Sequence, residues 1–282
     1  MKVGINLMLY TGTPNFKEHE ALLEKLHGFG YDAFELCVGD LSPDEIAKFA
    51  KKAVDLGMEA QAVDLFSVDI ADPIGHDPNA RRAAIDRLKL SAHKARDLGA
   101  KIYSGTFFQG LCSTTSIGPT DEERKWAVET LYAVGKEAQT CGLKIAAEPL
   151  NRFEMHIVNT IEKAYALCVA TGLDNVGIMA DTHHSNIEEL DLVKAYVDHI
   201  DRIFNIQISE NNRGTPGSGH GIPTNLFDAV LHAGYQGNFI IESFNANVPA
   251  TLPLLRIWEP LVPTEDEIAI EGLKFIRNNI HR

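Results

Sequence analysis

A (β/α)8 barrel is the fold this sequence predicts, and three observations predict it. Eight short apolar runs, at residues 3–9, 33–36, 59–63, 102–106, 144–148, 176–181, 203–208 and 238–242, alternate with helical patterns along the chain. Glycines punctuate those patterns at Gly30, Gly57, Gly99, Gly142, Gly172 and Gly234, each placed to take the left-handed conformation that ends a helix. Four consecutive runs finish on or near an oxygen-bearing side chain, Glu148, Asp181, Gln207 and Glu242, at gaps of 33, 26 and 35 residues. A strand-plus-helix unit of such a barrel averages roughly 30 residues, and its active site forms at the C-terminal strand ends.

The elements are justified in chain order. The first run, residues 3–9, has the length of a strand and lacks the cleavage site of a leader. Helices are expected over 43–56, 79–98, 121–140, 161–170, 190–198, 226–233 and 264–279. Ser42-Pro43 and Thr120, with Glu123 three positions on, are helix-start signals: the hydroxyl accepts from an unpaired N–H of the first turn. An open doubly wound sheet would need a glycine-rich, phosphate-gripping turn after the first strand, and Tyr10-Thr-Gly-Thr-Pro14 is not one. No composition break or linker divides the chain, so residues 1–282 read as one domain.

Composition narrows the function. With 45% hydrophobic and 23% charged residues the chain can bury a large core. A net charge of −13 opposes binding to nucleic acid or to anionic membranes, which require clustered Lys and Arg. A neutral or cation-assisted small molecule is the better partner. No stretch approaches the length of a membrane span. Cys37, Cys112, Cys141 and Cys168 form no CxxC pair and read as buried free thiols of a reducing cytoplasm.

A carboxylate at the end of an apolar strand is unfavourable unless its charge is compensated. Any one of the four could instead reach solvent or a helix N-terminus. Four in consecutive units point to a cage for one divalent cation. Side chains two apart share a strand face, so Asn205 and Gln207 point the same way, as do Ala146 and Glu148. Small neighbours, Ala146 and Gly177, are expected to leave room for a ligand. Three carboxylates and one amide oxygen make a hard donor set that suits Mn²⁺ or Mg²⁺ better than Zn²⁺, with Co²⁺ as a substitute. The glycine-rich stretch 214–221 could cradle a phosphate, but it has no Lys and only Arg213 nearby, and is expected to be a mobile lid or turn.

At this point the chain resembles the xylose-isomerase-like barrels, and within them the ketose 3-epimerases of the D-tagatose and D-psicose type. The resemblance rests on Glu148-Pro-Leu-Asn-Arg-Phe-Glu154, Asp181-Thr-His-His184 with Asn186-Ile-Glu-Glu189, Ser209-Glu-Asn-Asn-Arg213-Gly-Thr-Pro-Gly217 and Ile241-Glu242-Ser-Phe244. The tail from Arg256-Ile-Trp258 to Gly272-Leu-Lys-Phe275 also follows the family's ending. The resemblance implies a TIM barrel in which Glu148, Asp181 and Glu242 hold the metal, Glu148 and Glu242 act as the acid/base pair, and Glu154, His184 and Arg213 hold the sugar's carbonyl-end oxygens. It also implies a dimer or tetramer. His183 is read as structural. The epimerases carry a histidine where this chain has Gln207, whereas the related hydroxypyruvate isomerases use Gln there.

The chemistry expected is removal of a proton next to a ketone. A divalent cation on the C2 and C3 oxygens would stabilise the enediolate while one glutamate removes the C3 proton and the other returns one to the opposite face. Three other readings stand beside it: an aldose–ketose or hydroxypyruvate-type isomerase, a lyase acting on 3-keto-glycosides, and non-catalytic sugar binding. Phe107 and Phe108, with Leu9 and Tyr10, are either walls beside the sugar or core filler.

Overall fold

A computed structural model describes residues 1–67, 69–111 and 115–280. Cys112 lies outside the described residues. Strands β1 (Val3–Asn6), β2 (Ala33–Cys37), β3 (Glu59–Asp64), β4 (Ile102–Gly105), β5 (Lys144–Ala147), β6 (Val176–Asp181), β7 (Ile203–Ile208) and β8 (Phe239–Ile241) pair in parallel, in chain order, and close into a barrel. Around it run α1 (Phe16–Phe29), α2 (Pro43–Leu56), α3 (Pro78–Leu98), α4 (Asp121–Thr140), α5 (Ile161–Ala170), α6 (Thr182–Glu188), α7 (Leu192–Asp198), α8 (Leu226–His232), α9 (Leu252–Leu255) and α10 (Glu265–Ile280). The fold is the (β/α)8 barrel that the sequence predicts.

Local chemistry explains where the helices begin and end. Ser42 with Glu45, and Thr120 with Glu123, form reciprocal capping boxes at α2 and α4. All six punctuating glycines have positive φ, between 67° and 101°. Helix α1 was signalled only by its closing Gly30; its start is capped by Asn15, which accepts from the Glu18 N–H. The short helices α6 and α9 were not anticipated.

Of the strand ends that differ from the expectation, those of β1, β5 and β8 bear on the site. The run at 3–9 stops being a strand at Asn6, whose side chain accepts from the Met8 N–H at 2.9 Å and turns residues 7–9 into a 3-10 helix. Glu148 and Glu242 stand one residue beyond β5 and β8. Their backbones still extend the ladder, with Glu148 N–H donating to the Gly105 carbonyl at 2.9 Å and Glu242 N–H to the Ile208 carbonyl at 3.1 Å.

Most buried apolar side chains lie between the barrel and its helices, while a small cluster of Val63, Ala146 and Met179 packs separately. Ala146 belongs to that apolar cluster. Gly177, expected to leave room for a ligand, makes room for something else: a Cβ there would strike the Arg202 carbonyl and the Phe204 ring. That crowding accompanies a β-bulge. Ile178 pairs with Ile203 but Met179 pairs with Asn205, which brings Asp181 opposite Gln207.

Among the described residues no helix is long and apolar enough to cross a membrane. Cys37, Cys141 and Cys168 are free, with Cys168 buried and the other two half-buried. Burial pushes the Cys37 and Cys168 thiols up to about 12.

Candidate active site

The C-terminal strand ends bring Glu148, Asp181, Gln207 and Glu242 into one buried cluster together with His184 and Arg213. Asp181 ends β6 and is also the N-cap of α6, its Oδ1 accepting from the His183 N–H at 2.8 Å. Helix α6 then turns His184 back over the cluster, with Nε2 3.5 Å from Asp181 Oδ2 and 3.6 Å from Glu148 Oε1. Glu148, Asp181 and His184 each offer an atom within 4.8 Å of the others, close enough to share one metal ion.

Arg213 is the cluster's buried cation. Its backbone sits at φ 63°, a left-handed conformation uncommon outside glycine, and is pinned by Arg213 N–H to the Glu210 carbonyl at 2.9 Å and Phe244 N–H to the Arg213 carbonyl at 2.7 Å. From there the guanidinium donates to Asp181 and, at 2.8 Å, to Glu242 Oε2.

A residue that the sequence reading missed completes the cluster. Glu35, fully buried on β2, accepts from the side-chain amides of Gln207 at 2.7 Å, Asn6 at 2.9 Å and Asn205 at 3.2 Å. Asn6 and Gln207 also each donate to Glu242 Oε1 at 3.1 Å. The available signal was a lone carboxylate inside the apolar run Ala33-Phe-Glu35-Leu.

Electrostatics follow from burial. Four carboxyl groups, Glu35, Glu148, Asp181 and Glu242, share the low-dielectric mouth with one guanidinium. Burial drives Glu148 well above the usual carboxylate range, and Glu242 and Asp181 push it further. Burial likewise raises Glu242, against the pull of Arg213. Burial pushes Glu35 up to about 7, with its amide donors pulling back. For Asp181 burial acts upward too, but Arg213 and then His184 and His183 overcome it and hold the group low.

The donor set fits a divalent cation. Glu148 Oε1 and Gln207 Oε1 are buried and have no hydrogen-bond partner among the described residues, and both are hard oxygen donors in a cluster with surplus negative charge. His184 is better suited to donate than to bind metal. Its Nδ1 accepts from the Asn151 N–H at 3.1 Å, so the neutral ring carries its hydrogen on Nε2. Arg213 Nη2 lies 2.9 Å from that same Nε2, so two N–H donors face each other, a contact that an oxygen placed between them would relieve. Glu154 lies at the rim and accepts from Asn151 Nδ2 at 2.8 Å.

A cavity of about 30 Å³ adjoins the cluster, walled by Met8, Leu65, Leu150, Phe244, Leu254 and Leu255. A second, of about 290 Å³, shares Glu154, Leu254 and Leu255 and reaches His183. Phe107 and Phe108 are buried core residues, with Phe107 packed 4.8 Å from Tyr103, and neither lines these cavities. Leu9 is also buried, and Tyr10 donates to Asp266 at 2.9 Å on α10.

The stretch 214–221 has its own occupant. The buried Glu210 carboxylate accepts from the Gly217 and Gly221 N–H groups, both at 2.9 Å, so these amides are already satisfied from within the chain. The stretch is a tied turn; a phosphate would have to displace Glu210. His183 packs there as well, 3.1 Å from the Glu210 carbonyl.

Comparison with known proteins follows the same lines. The family model for the xylose isomerase-like TIM barrel matches residues 23–279. A ketose 3-epimerase of Arthrobacter globiformis is 26% identical over 99% of this chain and 97% of its own. The 3-dehydro-D-guloside 4-epimerase of Escherichia coli is 34% identical over 49% of this chain and 53% of its own. The structure of an L-ribulose 3-epimerase superposes with a TM-score of 0.93 at 26% identity, covering 99% of this chain and 94% of that one. The chain belongs to the xylose isomerase-like TIM barrel family.

Proposed function

We propose that this chain epimerises free ketoses at C3. Glu148 and Glu242 act as the acid/base pair, and one divalent cation, Mn²⁺ before Mg²⁺ or Co²⁺, is held by Glu148, Asp181, Gln207 and Glu242. The observation that carries this reading is the burial of both glutamates in a single acidic cluster, with two orphaned oxygens and one guanidinium. The names of relatives matched over nearly the full length support the substrate class. A cytoplasmic dimer or tetramer completes the reading.

A bound cation supplies Lewis-acid stabilisation of charge that develops on the sugar's oxygens. One glutamate removes the C3 proton and the other returns a proton to the opposite face, the order reversing with the substrate's configuration. Burial raises the proton affinity of both side chains, the direction that suits a group which takes up and returns a proton. His184 Nε2–H and the Arg213 guanidinium donate to oxygens at the carbonyl end, and Glu154 accepts from a hydroxyl. Leu254 and Leu255 line the cavity of about 30 Å³ beside the glutamates, and apolar walls there would keep water from the reacting carbons.

Gln207 in place of the epimerase histidine keeps an aldose–ketose or hydroxypyruvate-type isomerase as a second reading. The lyase acting on 3-keto-glycosides stands third, and the name of the Escherichia coli relative, a 3-dehydro-D-guloside 4-epimerase, supports a keto-glycoside as substrate. Incubation of Mn²⁺-loaded protein in D2O with ketoses, aldoses and 3-keto-glycosides, followed by NMR, separates them. Deuterium at C3 with a new epimer is the expected result. Label confined to C1 or C2, or release of an aglycone, would overturn it in favour of the second or third reading.

A further inference from the structure

We propose that Glu35 is a positioning residue that holds the Gln207 NH2 and so leaves the amide's carbonyl oxygen buried and uncommitted. Glu35 thereby lets a glutamine on β7 act as an oxygen ligand. The inference rests on the cation reading above and concerns how this chain makes a residue that departs from the epimerase pattern serviceable.

An amide side chain has an intrinsic ambiguity: rotation by 180° exchanges its oxygen for its NH2 group. A glutamine therefore offers a ligand oxygen reliably only if its NH2 is committed elsewhere. Here Gln207 Nε2 donates to Glu35 Oε2 at 2.7 Å and to Glu242 Oε1 at 3.1 Å. The flipped rotamer would set the amide oxygen against two carboxylates, both acceptors, at those same distances. The orientation is thus fixed by charge, and the oxygen left over is the buried, unpartnered Gln207 Oε1.

Glu35 is itself held in place. Asn6 Nδ2 donates to Oε2 at 2.9 Å and Asn205 Nδ2 to Oε1 at 3.2 Å, so three amides on two strands converge on one fully buried carboxylate. Asn6 cannot flip without losing the Met8 N–H that its oxygen accepts at 2.9 Å. Outer groups that orient a ligand typically change metal affinity 10–100-fold when removed.

The test measures binding separately from turnover. Mn²⁺ is titrated calorimetrically into chelator-stripped protein, with the folded state of each variant checked by circular dichroism. Glu35→Gln is expected to weaken Mn²⁺ binding about 10–100-fold. Gln207→Ala should weaken it similarly, and adding Glu35→Gln to Gln207→Ala should cause little further loss, because the two residues act as one unit. A folded Glu35→Gln protein with unchanged Mn²⁺ affinity, or losses that simply add in the double variant, would overturn the inference and leave the epimerase reading standing. Failure of the wild-type chain to bind Mn²⁺ would overturn both.

Discussion

At its N-terminal mouth the barrel opens into a basin of about 780 Å³ rimmed by Lys2, Lys101, Lys144, Glu59 and Asp201. At its C-terminal mouth a cavity of about 30 Å³ adjoins Glu148, His184, Arg213 and Glu242. Two of the charges at the wide end have partners: Lys2 pairs with Glu59 at 2.9 Å, and Lys144 rests 4.4 Å from the centre of the Phe204 ring. Those at the narrow end are buried, carry surplus negative charge and retain unpartnered oxygens. The difference teaches that unsatisfied chemistry, and not cavity size, marks where a ligand belongs.

The sharpest way to break that contrast is to neutralise the narrow end. Glu148→Gln and Glu242→Gln each keep the side-chain shape, and each is expected to lower turnover about 10²–10⁴-fold with an unchanged circular dichroism spectrum. Near-native rates in either variant would refute the acid/base pair.

A second experiment uses proton linkage. Burial, then repulsion from Arg213, lowers His183 to about 4 from its ordinary 6.5. Between these values this histidine binds more protons in the unfolded chain than in the folded one, so its own contribution to stability falls as pH drops from about 6.5 towards 4, against the opposite contribution of the raised Glu35, Glu148 and Glu242. The expected loss is roughly 1–3 kcal/mol, and His183→Gln should remove that part of the slope, read from urea midpoints at pH 7 and pH 5. An identical slope in the variant would show that His183 charges freely in the folded state.

The smallest effect belongs to the wide end. Lys101→Met and Lys144→Met should each change turnover less than about twofold, with Lys144→Met losing about 0.5–1 kcal/mol of stability from its aromatic contact. A large kinetic effect there would give the open basin a function after all.

What could be read from the sequence was local. Strand runs, glycine-closed helices and the capping boxes at Ser42 and Thr120 depend on neighbours a few residues apart, and the structure reproduces them. The four strand-end residues were legible for the same reason. Glu35 was not, since its partners lie 29, 170 and 172 residues away and meet it only once the barrel closes. The Glu210 tie of the 214–221 stretch and the approach of Leu254 and Leu255 to the cavity were hidden similarly, because they depend on how loops fold back. Gly177 shows the opposite hazard: its smallness was visible, but what filled the space was not.

The bulge between β6 and β7 has a consequence of parity. Counted straight from the Ile178–Ile203 pair, Asp181 would come level with Ile206; the additional residue brings it level with Gln207 instead. Because strand side chains alternate sides, a one-residue slip of β7 beyond the bulge would turn Asn205 and Gln207 outward and Ile206 and Ile208 inward. The reactive centre therefore depends on whether a short stretch of backbone contains an odd or an even number of residues, a property that no exchange of one side chain for another can restore.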